Sequence, residues 1–163
     1  MLKRNKTLLV WVVQNVDFQL VSGRFTMKLV IHAGMSTTGS SSIQQSLQSH
    51  KTPDLNYIKW KSENHSELFY LLFHETAIRD RYHIFRTQGI SVRELDEERE
   101  RWLDQLTRQL VANTSPVSVF SGEDISPPSP ISGLRNMFDF FSKFFEDIRV
   151  VAYVRPPRSY IIW

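Results

Sequence analysis

The apolar positions of this chain change their period along its length, and each change marks an element. The run Lys28–Ile31 is short and continuous and reads as a buried strand. A small, hydroxyl-rich turn through Gly34 and Gly39 follows. A helical pattern then runs from about Ser41 to His50, with Ile43 and Leu47 expected on its inner face, and Pro53 closes that unit. Leu55–Trp60 predicts a second short strand, and Glu67–Ala77 a helix with Leu68, Leu71, Leu72 and Phe73 on its apolar side. Arg79–Gly89 shows no clear period and reads as loop. Ser91–Asn113 carries the strongest helical pattern: Ser91 and Glu94 form a capping box, and Val92, Leu95, Trp102, Leu103, Leu106 and Leu110 recur at helical spacing. Pro116–Ser121 alternates as a strand. The turn Pro127-Pro128-Ser129-Pro130 precedes a helix whose Leu134, Met137, Phe138, Phe141 and Phe145 share one side and read as core. Ile148–Val154 is an apolar run of the kind a central parallel strand shows, buried on both faces, with Arg149 the exception.

Strands alternating with helices predict an α/β fold, a doubly wound and mostly parallel sheet, in which ligands gather beyond the carboxyl ends of the strands. Three features fall at such ends: the 34–42 turn, Ser121–Asp124, and Arg155. The unit that carries them starts at Met27, so 27–163 is expected to be one domain and 1–26 an extension outside its core. Lys3, Arg4 and Lys6 before the apolar Leu8–Val13 imitate a secretory signal. That run is only six residues long before Gln14, Asn15 and Asp17 interrupt it, and no small-residue cleavage site follows, so neither export nor a membrane span is expected.

Composition narrows the function only slightly. A net charge of +3 is too small to argue for nucleic acid, though it suits anionic ligands. The absence of cysteine removes disulfides and thiolate metal sites and fits a cytoplasmic protein. No metal is expected from the histidines: His74-Glu75 opens like a zinc-protease helix, but Ile78 stands where the second His belongs. Eight of the nine residues 93–101 are charged with mixed signs, and Arg93, Glu97 and Arg101 follow at intervals of four, which predicts a solvated helix face.

The chemistry therefore concentrates in the turn. Glycines at 34 and 39 suit positive φ and close backbone approach to an anion, and Ser40, Ser41 and Ser42 offer hydroxyls beside the unpaired amides of a helix start. The lysine that P-loop nucleotide-binding proteins carry after the second glycine is replaced by Ser40, so this P-loop-like cradle keeps its backbone chemistry without the charge. Arg155, stiffened by Pro156 and Pro157, is suited to fork onto a phosphate or to pair with a carboxylate. Glu123 reads either as a general base at a cleft mouth or as a carboxylate approaching a helix. His32 reads as a satisfied strand-end histidine.

Residues 31–44, Val119–Glu123 and Arg149–Tyr160, in this order and far apart, resemble the sulfotransferase family, specifically bacterial sulfotransferase-like proteins related to the Golgi carbohydrate sulfotransferases. The resemblance spans about residues 27–163. It implies that the chain binds 3′-phosphoadenosine 5′-phosphosulfate, whose sulfuryl group passes in line to an acceptor hydroxyl or amine, a carbohydrate among the candidates. By position, Gly34, Thr38, Gly39, Ser40 and Ser41 would cradle the 5′ side, Arg155 would grip the 3′-phosphate, and Glu123 would serve as acceptor base. Neither nucleic acid nor membrane is an implied partner. Thr37 stands where the family carries the lysine that faces the transferring group. Trp163 stands where the family has a serine, eight residues beyond the arginine, and the family continues further. The resemblance thus implies the amino-terminal portion of such a domain, truncated at its carboxyl end. Two other readings stay open: an inactive remnant or binding module, and a P-loop nucleotide kinase-like phosphotransferase.

Overall fold

Four parallel strands, in the order Asp147–Val154, Lys28–Gly34, Val117–Gly122 and Leu55–Tyr57, form the body of a five-stranded sheet, and Leu9–Val10 pairs antiparallel on the outer edge of the first. The computed structural model describes residues 9–10, 27–34, 39–125 and 130–154. The strands are β1 Leu9–Val10, β2 Lys28–Gly34, β3 Leu55–Tyr57, β4 Val117–Gly122 and β5 Asp147–Val154. The helices are α1 Ser40–Ser49, α2 Ser66–Phe73, α3 Thr76–Arg79, α4 His83–Gln88, α5 Val92–Val111 and α6 Ile131–Phe141, with a 3-10 turn over Glu123–Ile125. The segment ahead of Met27 thus adds a two-residue edge strand, Leu9 opposite Val154 and Val10 opposite Tyr153. Among the described residues no helix is long and apolar enough to cross a membrane.

Register fixes what each face of the sheet carries. Ile31, Phe120 and Val150 form one row and His32, Ser121 and Val151 the next, so neighbouring rows point to opposite faces. The first face is apolar and takes α2 and α6. Phe120 meets Phe141 at 5.3 Å and Phe73 at 6.4 Å between ring centroids, and Leu29 and Ile31 are wholly buried beneath them. The aromatic side of α6 is therefore core. The second face takes α1, whose Gln44 bonds Ser121.

Local rules hold where they act within one element. The Ser91 side chain accepts from the Glu94 amide and the Glu94 carboxylate accepts from the Ser91 amide at 2.8 Å, a complete capping box. Arg93 pairs with Glu97 at 3.0 Å on the solvated face, but Arg101 turns to Glu98, three residues back, and not to Glu97.

Three expectations need correction. The helix predicted over Glu67–Ala77 breaks after Phe73: His74 is extended, and α3 restarts at Thr76. The His74 ring stacks on Tyr70 at 4.4 Å and lies against Gly133 of α6, where even a Cβ would fall 2.3 Å from it. Packing between helices overrides the helical period there. Residues 79–89 are not a plain loop but hold α4, whose Phe85 is buried and which ends on left-handed Gly89 at φ 66°. Finally, β5 is not buried on both faces. Ile148, Val150, Val151 and Ala152 are half-buried and Arg149 is exposed, paired to Asp147 at 2.9 Å.

Candidate functional site

The carboxyl ends of β2 and β4 lie side by side, His32 paired with Ser121 and Ala33 with Gly122, and the chain leaves β2 toward the start of α1. Gly39 precedes that helix in the left-handed conformation, φ 90°, a backbone that glycine adopts without strain. The first turn of α1 holds no acidic residue and Gly39 makes no side-chain cap, so nothing within the helix itself offsets the positive end of its dipole. Gly34 serves differently from the expectation: it is not among the positive-φ glycines, and what it supplies is space. A Cβ at 34 would fall 2.9 Å from Ser40 Cβ. Gly34→Ala is accordingly expected to push Ser40 aside and cost about 1–3 kcal/mol, read as a lowered midpoint in chemical denaturation.

Ser40 is buried, and its hydroxyl donates to Glu123 Oε1 at 2.5 Å, tying the first residue of α1 to the 3-10 turn after β4. Sequence reasoning chose both residues, and the fold brings them together. Ser41 and Ser42 are exposed. Thr37, Thr38 and Arg155, the remaining candidates, lie outside the described residues.

Beneath this pair the fold joins Ser121 and His32, each expected only as a strand-end residue, with Gln44, a meeting the sequence did not show. Gln44 Nε2 donates to Ser121 Oγ at 3.1 Å, and Ser121 Oγ meets His32 Nδ1 at 2.7 Å; all three residues are buried. The inner face of α1 is therefore Ser40 and Gln44, one turn apart, while Ile43 and Leu47 are only half-buried. Burial lowers the pKa of His32 below the usual histidine value, and the nearby Glu123 carboxylate works against that shift without reversing it.

Ser121 is also fixed through its backbone. Its amide donates to His65 Nδ1 at 2.9 Å and its carbonyl accepts from the His65 amide at 2.7 Å, while His65 Nε2–H donates to the Ile58 carbonyl at 2.9 Å. The His65 ring, stacked between Tyr57 and Phe120, thus stitches the end of β4 to the chain beyond β3. Gly122 admits the chain at Ser66, whose amide would lie 2.8 Å from a Cβ there. Asp124, next to Glu123, accepts from Tyr82 at 2.8 Å, and its amide donates to Ser66 Oγ at 3.0 Å. Glu123 is therefore delivered by a segment anchored on both sides.

Among the described residues no group of three or more His, Cys, Asp and Glu could hold a metal. The arrangement offers amides, a hydroxyl and a carboxylate around a helix start, which suits an oxyanion and a proton acceptor beside it. In comparisons with protein-family models, curated proteins and solved structures, nothing matches the chain.

Proposed function

We propose that the chain is a sulfotransferase-like protein that binds 3′-phosphoadenosine 5′-phosphosulfate, with the 34–42 turn around the phosphosulfate and Arg155 on the 3′-phosphate. The observation that carries this reading is the uncapped start of α1, entered through left-handed Gly39, with the buried Ser40 hydroxyl on Glu123 at the carboxyl end of the adjacent strand. In the transfer, an acceptor oxygen or nitrogen forms a bond to sulfur as the bond from sulfur to the bridging phosphate oxygen breaks. Glu123 takes the acceptor proton, and adenosine 3′,5′-bisphosphate leaves. Little covalent work falls on the protein, whose task is to align the groups and to meet negative charge with donors.

The test is calorimetric titration with adenosine 3′,5′-bisphosphate and with AMP. The bisphosphate should bind more tightly, because only it carries the group Arg155 is assigned to hold. One charged hydrogen bond contributes about 1.5–3 kcal/mol, so Arg155→Ala should weaken the bisphosphate about ten- to a hundredfold and leave AMP unchanged. Equal affinities, or a variant that binds like the original, would remove the assignment.

A second reading is favoured by one feature, an acidic side chain at the end of the strand beside the loop strand, where P-loop phosphotransferases hold a magnesium ligand. Binding of ATP with magnesium in preference to the sulfonucleotide would select it.

A further inference from the structure

The segment from His50 to Lys61 carries three lysines and a single acidic residue, Asp54. Lys61 pairs with Glu67, whereas Lys51 and Lys59 are exposed and form no ion pair among the described residues. Both flank β3, the end strand of the sheet, which is bonded to β4 on one side. Tyr57 stands opposite Val119, and the Ile58 amide donates to the Val119 carbonyl at 3.1 Å. In a parallel ladder that pattern turns the amide and carbonyl of Tyr57 itself to the outer edge. The edge is closed on both sides of this pair. The Leu55 amide bonds back to the Thr52 carbonyl at 3.4 Å, and the Gln109 side chain takes both the amide and the carbonyl of Lys59, at 3.0 Å and 3.2 Å. Tyr57 is therefore left offering a donor and an acceptor at one strand position. A groove of about 600 Å³, within the usual size of ligand sites, runs along this edge. Leu55, Tyr57 and Trp60 line it together with Lys51 and Lys59, and no acidic residue does; Asp54 lies in the same turn, outside the lining.

We propose that the outer edge of β3 docks an extended acidic peptide of a partner protein. One peptide residue pairs its main chain with the Tyr57 amide and carbonyl, carboxylates meet Lys51 and Lys59, and the apolar side chains between them lie over Leu55 and Tyr57. Lysines beside an edge strand commonly deter other strands, but the deterrent has a sign. It repels a basic segment, and it repels a second copy of this chain, which would bring the same cations together; an acidic segment it attracts. Nucleic acid would supply the charge without the strand main chain that Tyr57 matches. The groove is independent of the anion cradle at 34–42, and neither reading needs the other.

Titration of the full chain, labelled with nitrogen-15, tests this in proton–nitrogen correlation spectra with acetyl-Glu-Val-Glu-Val-Glu-amide as the probe. The Tyr57 amide signal and those of Lys51 and Lys59 should move together as the peptide is added, and the same peptide with lysine for glutamate should move none of them. Methylating the amide nitrogens of the valines, or instead those of the glutamates, blocks one strand edge of the peptide at a time. One of the two should bind at least about fivefold more weakly and the other as before. Thymidine pentanucleotide, anionic but without a peptide main chain, should bind at least about tenfold more weakly than the peptide. Lys51→Glu combined with Lys59→Glu changes two exposed positions and should weaken the peptide at least about tenfold, with circular dichroism unchanged. If that variant does not fold, the peptide comparisons on the unaltered protein still decide. A Tyr57 signal that stays still up to about 1 mM peptide, equal binding of the two methylated peptides, or unchanged affinity in the charge-reversed variant would each overturn the proposal. Pentanucleotide binding as tight as the peptide's would make the groove a polyanion site, and a Tyr57 shift that depends on protein concentration alone would give the edge to a second copy; either overturns it too.

Discussion

Between pH 6.5 and pH 4 the folded chain is expected to lose several kcal/mol of stability, more than any single surface ion pair could supply. Burial lowers the pKa of His65 and of His74 from 6.5 to about 4; at His65 the bond to the Ile58 carbonyl opposes the shift without cancelling it. For a base held neutral in the fold, the unfolded chain binds more protons throughout that window, so stability falls as pH falls from 6.5 and levels off below about 4. At about 1.4 kcal/mol per pKa unit, each histidine contributes about 3 kcal/mol, and His32, lowered in the same direction, adds to the slope. Urea denaturation at closely spaced pH values measures this directly. A midpoint that stayed flat from pH 7 to pH 4.5 would mean that these rings are solvated in solution.

The two buried histidines should then separate under substitution. His65 uses both ring nitrogens, one accepting from the Ser121 amide and one donating to the Ile58 carbonyl, so His65→Met strands two buried backbone groups and should cost about 2–4 kcal/mol at pH 7. His74 uses neither nitrogen; its ring lies among Phe69, Tyr70 and Gly133. His74→Met removes two unpaired polar atoms at similar volume, and should leave stability at pH 7 unchanged or higher while removing about half of the acid sensitivity. Equal losses in the two variants would show that packing around the rings, and not their hydrogen bonds, sets their contribution.

The same contrast explains what could be read from the chain alone. The Ser91–Glu94 box and the amphipathic α5 depend on residues within one turn of each other, and they were legible. The break at His74 depends on Gly133, fifty-nine positions away, and the helical period of Leu68, Leu71 and Leu72 runs straight into it with no local warning. α4 carried a stop signal in Gly89, but its reason to form is the burial of Phe85 beside Tyr82, at 5.3 Å between ring centroids. At the site, Gly39, Ser40 and Glu123 were legible because each directly follows or precedes an element end. Ser121 and His32 were read only as strand-end residues and Gln44 not as part of the site, because the three meet only through the β2–β4 register and the seat of α1 on that face. The apolar period of Ile43 and Leu47 predicts their side of α1 as the inner face, whereas Gln44 is the buried position and those two are half-buried.

Thr37 carries the largest expected effect on chemistry. In the proposed reaction, negative charge gathers on the bridging oxygen as its bond to sulfur breaks, and position 37 is where the resembling family places a lysine against that group. A threonine hydroxyl can hydrogen-bond an oxyanion but brings no charge, and the described residues around the turn offer amides, the Ser40 hydroxyl and the Glu123 carboxylate, none of them a cation. Removing one preorganised contact of this kind commonly costs about 3–4 kcal/mol, about a hundred- to a thousandfold in rate. Thr37→Lys should therefore raise sulfate release from 3′-phosphoadenosine 5′-phosphosulfate by about that factor, while donor affinity changes by less than about tenfold, because the gain belongs to the transition state and not to the bound ground state. Paired measurements of sulfate release and of bisphosphate affinity on the two proteins separate these quantities. Equal rates, including two rates no faster than buffer alone, would mean that charge at position 37 does not limit the reaction and that the turn serves a ligand other than a sulfuryl donor. A rate gain matched by an equal gain in affinity would mean that lysine there simply attracts the nucleotide.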